Sequence, residues 1–435
     1  MSDWIELRIG DVANVKGGKR LPKGSTLTAA ATPYPYIRLV DIDDGRINDR
    51  GLLFVPENIR PKISRYTINS DDIMISIVGT VGLVARIPAR LSGANLTENA
   101  AKIVCDTTLV EADFLRYFLR SGEGQRRIAE QTVGSTQPKL ALFRIADICY
   151  PSPPLSIQRA IASNLRALDD KIELNRRMNE TLEAIARAIF KDWFVDFGPT
   201  RAKAEGRAPY LAAELWDLFP DAIDDDDKPW DWEVSRIGSE VEVVGGSTPS
   251  TKDATYWSDG RHYWATPKDL SKLEAPVLLK TDRMITDAGL RKISSGLLPA
   301  GTVLMSSRAP IGYLAIAEIP SAVNQGFIAM RCTGRLPNLF VWLWCEQNLD
   351  HIKGIAGGST FAEISKKAFR PIPLVVPPEP VLAAFSELVE PIYKRIIENV
   401  KASETLAETR DLLLPKLISG EAQLSDAALE WRDQA

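Results

Sequence analysis

Residues 153–194 read PPLSIQRAIASNLRALDDKIELNRRMNETLEAIARAIFKDWF, and this stretch decides the fold. It reappears, altered but ungapped, 224 residues later: Pro154 matches Pro378, Asn175 matches Asn399, and Glu180-Thr181-Leu182 matches Glu404-Thr405-Leu406. An internal repeat sets the architecture before any local element is assigned. Here it implies two similar halves, each ending in a long helix. Ile161, Leu165, Leu168, Ile172, Leu182, Ala186, Ile189 and Trp193 recur at alternating steps of four and three apart from one gap, which is the heptad seam of a coiled coil. The second copy keeps the seam with Phe385, Val389, Ile392, Ile396, Leu406, Leu413 and Leu417. The gap is filled by Asn175 and Asn179 in one copy and by Asn399 and Ser403 in the other. A buried Asn at such a position costs stability and fixes register. If the helices pack antiparallel in symmetric register, Asn175 faces Asn399. Two unrelated amphipathic helices on separate cores would show the same local spacing. Pro391 lacks an amide donor and is expected to kink the second helix one turn in.

With 435 residues, 45% hydrophobic and 25% charged, the chain has the composition of two to four globular domains with a sizeable core. It shows no basic-apolar N-terminal signal and no run of about eighteen apolar residues, so neither export nor a membrane span is expected. Cys105, Cys149, Cys332 and Cys345 are scattered without a CxxC pair, which suits a reducing cytoplasm and argues against a structural zinc or a disulfide scaffold. The net charge of −4 is unevenly spread. Residues 1–150 carry 20 Lys and Arg against 17 Asp and Glu, and residues 231–376 carry 16 against 14. Residues 151–230 carry 11 against 15, and residues 377–435 carry 6 against 11. Slightly basic globular segments beside acidic helices suit a protein that meets phosphates with the former and protein partners with the latter.

The first globular segment opens with Trp4, Leu7, Arg8-Ile9-Gly10, Val12 and Val15 before Gly17-Gly18. Its counterpart is Trp232, Ser235, Arg236-Ile237-Gly238, Val241 and Val244 before Gly245-Gly246. Beyond each Gly-Gly the halves diverge, Lys19-Arg20 against Ser247-Thr248-Pro249. Short alternating strands follow, such as Tyr36-Ile37-Arg38-Leu39-Val40 ahead of the turn Asp43-Asp44-Gly45. Ile73-Met74-Ile75-Ser76-Ile77 leading to Gly82 pairs with Val303-Leu304-Met305-Ser306-Ser307 leading to Gly312. Each half closes with a short helix, Ala112 to Arg120 or Leu339 to Asn348, and a loop, Gly134-Ser135-Thr136 or Gly358-Ser359-Thr360. Strand-rich with a few helices, each half is expected to be an α+β domain.

Chemistry is sparse. His262 and His351 are the two histidines, and neither has a Cys or carboxylate at metal-ligand spacing. The chain has no GxxxxGK[ST] phosphate loop, no GxGxxG after a strand, no GxSxG elbow, and no Asn-Pro-Pro-Tyr or Asp-Pro-Pro-Tyr tetrapeptide of the kind that holds a flipped base in amino-methylating enzymes. Asp43-Asp44 and Asp71-Asp72 read as turn residues. Between the halves, Gly198 to Pro229 is polar, with the run Asp224 to Asp227. Pro220-Asp221 before Asp226-Asp227-Lys228 imitates a metal-dependent nuclease signature, but its spacing is too tight and it sits in a linker. The chain reads as a recogniser and scaffold.

These features together resemble the DNA-specificity subunit of Type I restriction-modification systems. The resemblance rests on Pro153-Pro154-Leu155-Ser156-Ile157-Gln158, on Leu168-Asp169-Asp170-Lys171-Ile172-Glu173-Leu174-Asn175 and on Phe190-Lys191-Asp192-Trp193-Phe194. The ending Leu413-Leu414-Pro415-Lys416-Leu417-Ile418-Ser419-Gly420-Glu421 is similar to the family's terminal helix, and Phe219-Pro220-Asp221 with Pro229 and Trp232 resembles its linker. The second copy departs at Pro378-Glu379-Pro380, with Ala383 where the first has Arg159. The implied layout is a target-recognition domain at 1–152, a long helix at 153–197, a linker at 198–230, a second recognition domain at 231–376, a second long helix at 377–420 and a tail at 421–435. The implied fold is α+β, two similar globular domains joined by an antiparallel coiled coil with internal pseudo-twofold symmetry.

The resemblance further implies a non-catalytic subunit that reads double-stranded DNA as two short half-sites separated by unspecified bases. The helices would dock two methylating subunits that carry S-adenosylmethionine and modify adenine, and two further subunits would add ATP- and Mg-dependent translocation and cleavage. No cofactor or metal is expected on this chain. A forty-residue helix spans about 60 Å, or roughly 17 base pairs of duplex, a fitting ruler for a bipartite site. Loops after the aligned glycines are the natural DNA contacts. The candidates are Lys19, Arg20, Arg38, Thr136, Gln137 and Lys139 in the first half, and Ser247, Thr248, Lys268, Arg308, Ser359 and Thr360 in the second, with Tyr256 and Trp264 for apolar or stacking contacts. The aromatic helix end Phe190, Trp193, Phe194 and Phe197 reads either as a docking surface for the methylating subunit or as packing against the nearer recognition domain. A lone DNA-modifying enzyme and a coiled-coil adaptor without DNA binding are the competing classes. Missing motifs disfavour the first, and salt-sensitive duplex binding by the assembled complex separates the second.

Overall fold

The computed structural model describes residues 4–43, 45–48, 51–134, 136–357 and 362–422. The chain folds as two units, Met1–Ile172 with Thr405–Ala435, and Glu173–Glu404.

In the first unit the strands Ala13–Gly17, Ala100–Cys105, Ile73–Ser76 and Val84–Arg86 form an antiparallel sheet in that spatial order. In the second unit Glu242–Val244, Phe327–Arg331, Thr302–Ser307 and Ile311–Ala317 repeat the order, and Val277–Leu278 adds a parallel edge. Central strands are buried on both faces: Ile73, Met74, Ile75 and Ser76 are all buried, as is every residue from Thr302 to Ser307. That is the reading of a strand covered on both sides, here by the helix Ala112–Arg120 or Asn338–Gln347 on one face and by smaller-sheet residues such as Ile37 and Leu96, or Ala265 and Val323, on the other. A smaller sheet in each unit pairs two strands in parallel, Ala94–Leu96 with Pro35–Ile37 and Ser321–Val323 with His262–Ala265.

The repeated Arg-Ile-Gly is explained by how each domain closes. Ile5–Arg8 runs antiparallel to Cys149–Ser152, and Glu233–Arg236 to Pro373–Val376. The chain then turns, and at Gly10 an added Cβ would lie 3.1 Å from the Ala146 Cβ, while at Gly238 it would lie 2.6 Å from the Arg370 Cβ. Each closing strand feeds its long helix directly, Leu155–Phe194 or Glu379–Ser419. The helices start alike. The Pro154 carbonyl accepts from the amides of Ile157 (2.9 Å) and Gln158 (3.0 Å), and the Pro378 carbonyl from Val381 (3.0 Å) and Leu382 (3.1 Å). Gln158 is buried and accounts for the first copy's Pro-Pro-Leu-x-x-Gln: its side chain donates to the Pro153 carbonyl at 2.9 Å and accepts the Glu111 amide at 3.0 Å. Leu382 stands in its place in the second copy, so that start lacks these bonds.

Within the first unit Ile161, Ala162 and Leu165 share a core with Leu414, Leu417 and Ile418. Within the second unit Ala186, Phe190 and Phe194 share one with Phe385, Val389 and Ile396. In the second unit Asn175 meets Ser403, Asn179 meets Asn399 and Phe190 meets Phe385, so rising numbers on one helix meet falling numbers on the other and the helices pair antiparallel; in the first unit Asp169 meets Arg410. Of the seam residues, Ile161, Leu165, Ile172, Asn175, Phe385, Val389, Ile396 and Asn399 are buried, and Leu168, Leu182, Ile392 and Leu406 are half-buried. The asparagines meet as symmetric register requires. Asn399 Nδ2 donates to Asn179 Oδ1 at 2.8 Å, and Asn175 Nδ2 donates to Ser403 Oγ at 3.2 Å and to the Asn399 carbonyl at 3.5 Å.

One expectation is corrected. Pro391 lies about three turns into its helix rather than one, since the helix begins at Glu379, and the helix continues past it to Ser419 with Pro391 exposed. Of the two readings of the aromatic end, the structure supports packing against a recognition domain. Phe190, Trp193, Phe194 and Phe197 are all buried in the core of the second unit, with the Phe194 ring 5.0 Å from Phe385, 5.1 Å from Phe340 and 6.2 Å from Trp232. An apolar end longer than the pairing needs is consumed by the core of the second recognition domain. The polar segment 198–230 also contributes, through the helix Gly198–Ala204 and the buried side chains of Trp216 and Phe219. Its acid run is a closed turn in which Asp224 pairs with Lys228 and accepts the Asp226 amide at 3.0 Å.

The first unit also holds a buried ionic network. The Asp169 carboxylate accepts from Tyr117 Oη at 2.6 Å and from Arg410 Nη1 at 2.8 Å, with Arg116 Nη2 at 3.7 Å. Arg116 bonds Asp113 at 2.9 Å, and Arg166 pairs with Asp113 and with Glu111 at 3.2 Å. Burial alone would raise the Asp169 pKa, but the hydrogen bonds from Tyr117 and Arg410 outweigh it and hold the group below the ordinary carboxylate value. Among the described residues, no helix is long and apolar enough to cross a membrane.

Candidate nucleic-acid interface

Why Gly-Gly recurs is a matter of space. A Cβ on Gly18 would lie 2.0 Å from the Thr97 carbonyl oxygen, and one on Gly246 would lie 1.6 Å from that of Val323. No side chain fits there, so the second glycine lets the chain cross tightly over the strand Ala94–Leu96 or Ser321–Val323. The first glycine is looser, since a Cβ on Gly17 would make ordinary contact with Leu142 at 3.7 Å.

That crossing brings four loops of each unit to one sheet edge. In the first unit the Lys19 amide donates to the Leu96 carbonyl at 2.9 Å, the Ile77 amide to Asn99 at 2.8 Å and the Leu140 amide to Ile77 at 2.9 Å. In the second unit the Ser307 amide donates to the Gly326 carbonyl at 2.8 Å and the Ile364 amide to Ser307 at 3.0 Å. The loop order is therefore the same in both units: the stretch after Gly-Gly, the turn Thr97–Asn99 or Asn324–Gly326, the hairpin tip after Ser76 or Ser306, and the loop before Leu140 or Ile364. A buried serine pins each hairpin tip. Ser76 Oγ donates to the Thr80 carbonyl at 2.5 Å and accepts the Leu83 amide, and Ser306 Oγ donates to the Pro310 carbonyl at 2.8 Å and accepts the Tyr313 amide.

The structure gathers many of the candidates here. Lys19 is exposed, its ammonium 5.6 Å from the Tyr66 ring centroid. Arg20 is exposed and donates through Nε to Glu98 at 2.5 Å. Burial alone would raise the Glu98 pKa, and the Arg20 bond holds it below its usual value. Thr136, Gln137 and Lys139 lie exposed on the fourth loop, where Lys139 bridges Val78 and Val133. In the second unit Ser247 donates to the Lys292 carbonyl at 3.1 Å, Thr248 to Gln325 Oε1 at 2.5 Å, and Arg308 sits 3.7 Å from Glu363. Tyr256 is half-buried with the Lys292 ammonium 6.0 Å from its ring centroid, and Lys268 is exposed on the short helix Pro267–Leu270. Ser359 and Thr360 lie outside the described residues.

Two candidates are placed for other work. Trp264 cannot stack on a base: it is 3% exposed, and its indole nitrogen donates to the Ser247 carbonyl at 3.3 Å. Arg38 is held by its own turn, its guanidinium bonded to Asp41 at 3.1 and 2.6 Å and to the Gly51 carbonyl at 3.2 Å. Sequence reading missed Glu98, Gln325 and Arg283. The first two sit on turns that align between the halves at an offset one residue different from that of the glycines, a shift that only the shared strand order reveals. Arg283 is exposed and stacks 3.5 Å from the Trp257 ring centroid. Among the described residues, no three His, Cys, Asp or Glu side chains group as a metal site. The edge offers hydrogen-bond donors and acceptors, together with positive charge, on loops fixed by a common frame.

Such a frame, repeated twice beside antiparallel helices, is that of a two-domain recognition protein. The family Type I restriction modification DNA specificity domain matches residues 1–184 and 229–402, and the chain belongs to it. Each match takes in one sheet frame with its four-loop edge, so the chain is a specificity subunit with two target-recognition domains. It is similar to the Type I restriction enzyme HindI specificity subunit of Haemophilus influenzae, at 25% identity over 97% of this chain and 100% of that protein. The MjaIX specificity subunit of Methanocaldococcus jannaschii is 25% identical over 98% of this chain and 94% of its own length. Among solved structures, the Type I restriction-modification S subunit from M. genitalium shares the fold, with a TM-score of 0.54 at 16% identity over 95% of this chain and 96% of that one.

Proposed function

We propose that each unit reads one half of a bipartite DNA site through its four-loop edge, and that the chain itself performs no chemistry. The observation that carries this reading is the repeated edge: the backbone frame is the same in both units while the exposed side chains on it differ. A shared frame with different side chains suits two half-sites of different sequence. In this reading the antiparallel helices hold two methylating subunits that bind S-adenosylmethionine and modify adenine, and two further subunits add ATP- and Mg-dependent translocation and cleavage. Those groups belong to the partners, and this chain supplies only the address. The complex works in the cytoplasm, where the DNA is.

The test is the adenine methylation pattern of host DNA, mapped base by base with and without this chain. A two-part motif that disappears on deletion is the expected result, and exchange of residues 1–150 should change one half-site only. A pattern indifferent to the chain would overturn the reading.

A further inference from the structure

One pair of side chains repeats in position but not in chemistry. The residue two places beyond the tight glycine is hydrogen-bonded to the middle residue of the turn that precedes the central strand: Arg20 to Glu98 in the first unit, Thr248 to Gln325 in the second, each at 2.5 Å. The backbone beneath is common to both units, with the glycine pressed on a strand carbonyl and the turn's last carbonyl accepting the hairpin amide at 2.8 Å, from Ile77 to Asn99 and from Ser307 to Gly326. Arg20, Thr248 and Gln325 are exposed, and Glu98 is half-buried. The glycines and the pinning serines are identical between halves because the frame needs them. The pair differs because the frame does not.

We propose that this pair is a base-reading device, with Arg20 directed to a guanine in the half-site of the first unit and Gln325 to an adenine in that of the second. The inference rests on the bipartite-site reading above. Arg20 spends only its Nε on Glu98, and its side chain is 77% exposed, so the two terminal nitrogens form a fork aimed outward. A fork of that kind meets guanine O6 and N7. Gln325 gives one lone pair of Oε1 to the Thr248 hydroxyl and keeps a second lone pair and both N–H donors. That set matches adenine N6 and N7. In each unit the second member of the pair holds the reader in place, which lowers the ordering cost of binding. The roles are exchanged between the units: the loop after Gly-Gly supplies the reader in one and its tether in the other.

The experiment uses the full complex with its methylating subunits and compares the methylated motif for the wild type, Arg20→Ala, Gln325→Ala and Gln325→Glu. Arg20→Ala should lower discrimination at one G·C pair of one half-site roughly tenfold or more, with the other half-site unchanged. Gln325→Ala should do the same at one A·T pair of the opposite half-site. Gln325→Glu keeps the size of the side chain and the Thr248 bond but has no N–H for adenine N7, and it should move preference away from adenine. Unchanged motifs in all three variants overturn the inference, as does a loss of methylation that is uniform over sequences, which marks a phosphate contact. A wild-type complex that methylates no two-part site would defeat the bipartite reading itself, so the two failures are distinguishable.

Discussion

Asp169→Asn tests the ionic network of the first unit. The carboxylate is 20% exposed and Arg410 is 8% exposed, so solvent screens their 2.8 Å pair poorly. Asparagine can still accept from Tyr117, but it removes the negative charge that faces Arg410 at 2.8 Å and the deeply buried Arg116 at 3.7 Å. Breaking one side of a buried pair costs about 3 kcal/mol, and the coupling between Asp169→Asn and Arg410→Met in a double-mutant cycle should be about 1.5–3 kcal/mol. For a unit of this size that is a drop of roughly 6–12 °C in its transition. The assay is thermal unfolding of the full chain followed by both ellipticity and tryptophan fluorescence. Eight of the ten tryptophans lie in Glu173–Glu404, so ellipticity should register the loss before fluorescence does. The pH dependence has a definite sign. The pKa values of Asp169 and Asp113 are lowered in the folded state, so their contribution is present above the unfolded value of about 3.9 and is lost as pH falls through the lower folded values. The gap between wild type and variant should therefore close below about pH 4. A coupling under about 0.5 kcal/mol, or a gap unchanged at low pH, would refute the reasoning.

Three other perturbations follow from the packing. Gly246→Ala forces a Cβ to 1.6 Å from the Val323 oxygen and should destabilise the second unit by about 2–4 kcal/mol, whereas Gly17→Ala, with its nearest atom at 3.7 Å, should cost less than about 1 kcal/mol; chemical denaturation of both variants checks the contrast. Asn179→Ala removes the acceptor of the buried Asn399 amide and should cost about 1–2 kcal/mol; a variant as stable as wild type in chemical denaturation would show that the bond is idle. Phe194→Ala should cost about 3–5 kcal/mol in the isolated chain, because the ring packs against Phe190, Trp193, Trp232, Phe340 and Phe385. A variant as stable as wild type that failed only to assemble with partners would restore the docking role.

The repeat of residues 153–194 made two similar halves, a heptad seam and its polar break legible, because spacing and residue type are properties of the chain alone; the antiparallel sense, and with it which asparagines meet, is set by the packing. The Gly-Gly pairs and the Ser76 and Ser306 blocks were legible for the same reason: each meets a local steric or hydrogen-bonding demand that few other residues satisfy. What faces outward was decided only in three dimensions. Trp264 and Arg38 look available in a sequence, yet one is enclosed beneath Ser247 and the other is bound to Asp41 three residues away. The aromatic helix end looks like a free surface until residues 340 and 385 close over it. Glu98 and Gln325 carry no local signal, because their role comes from a partner 78 or 77 residues distant in the chain, brought within hydrogen-bond reach by a strand crossing that only the folded sheet creates.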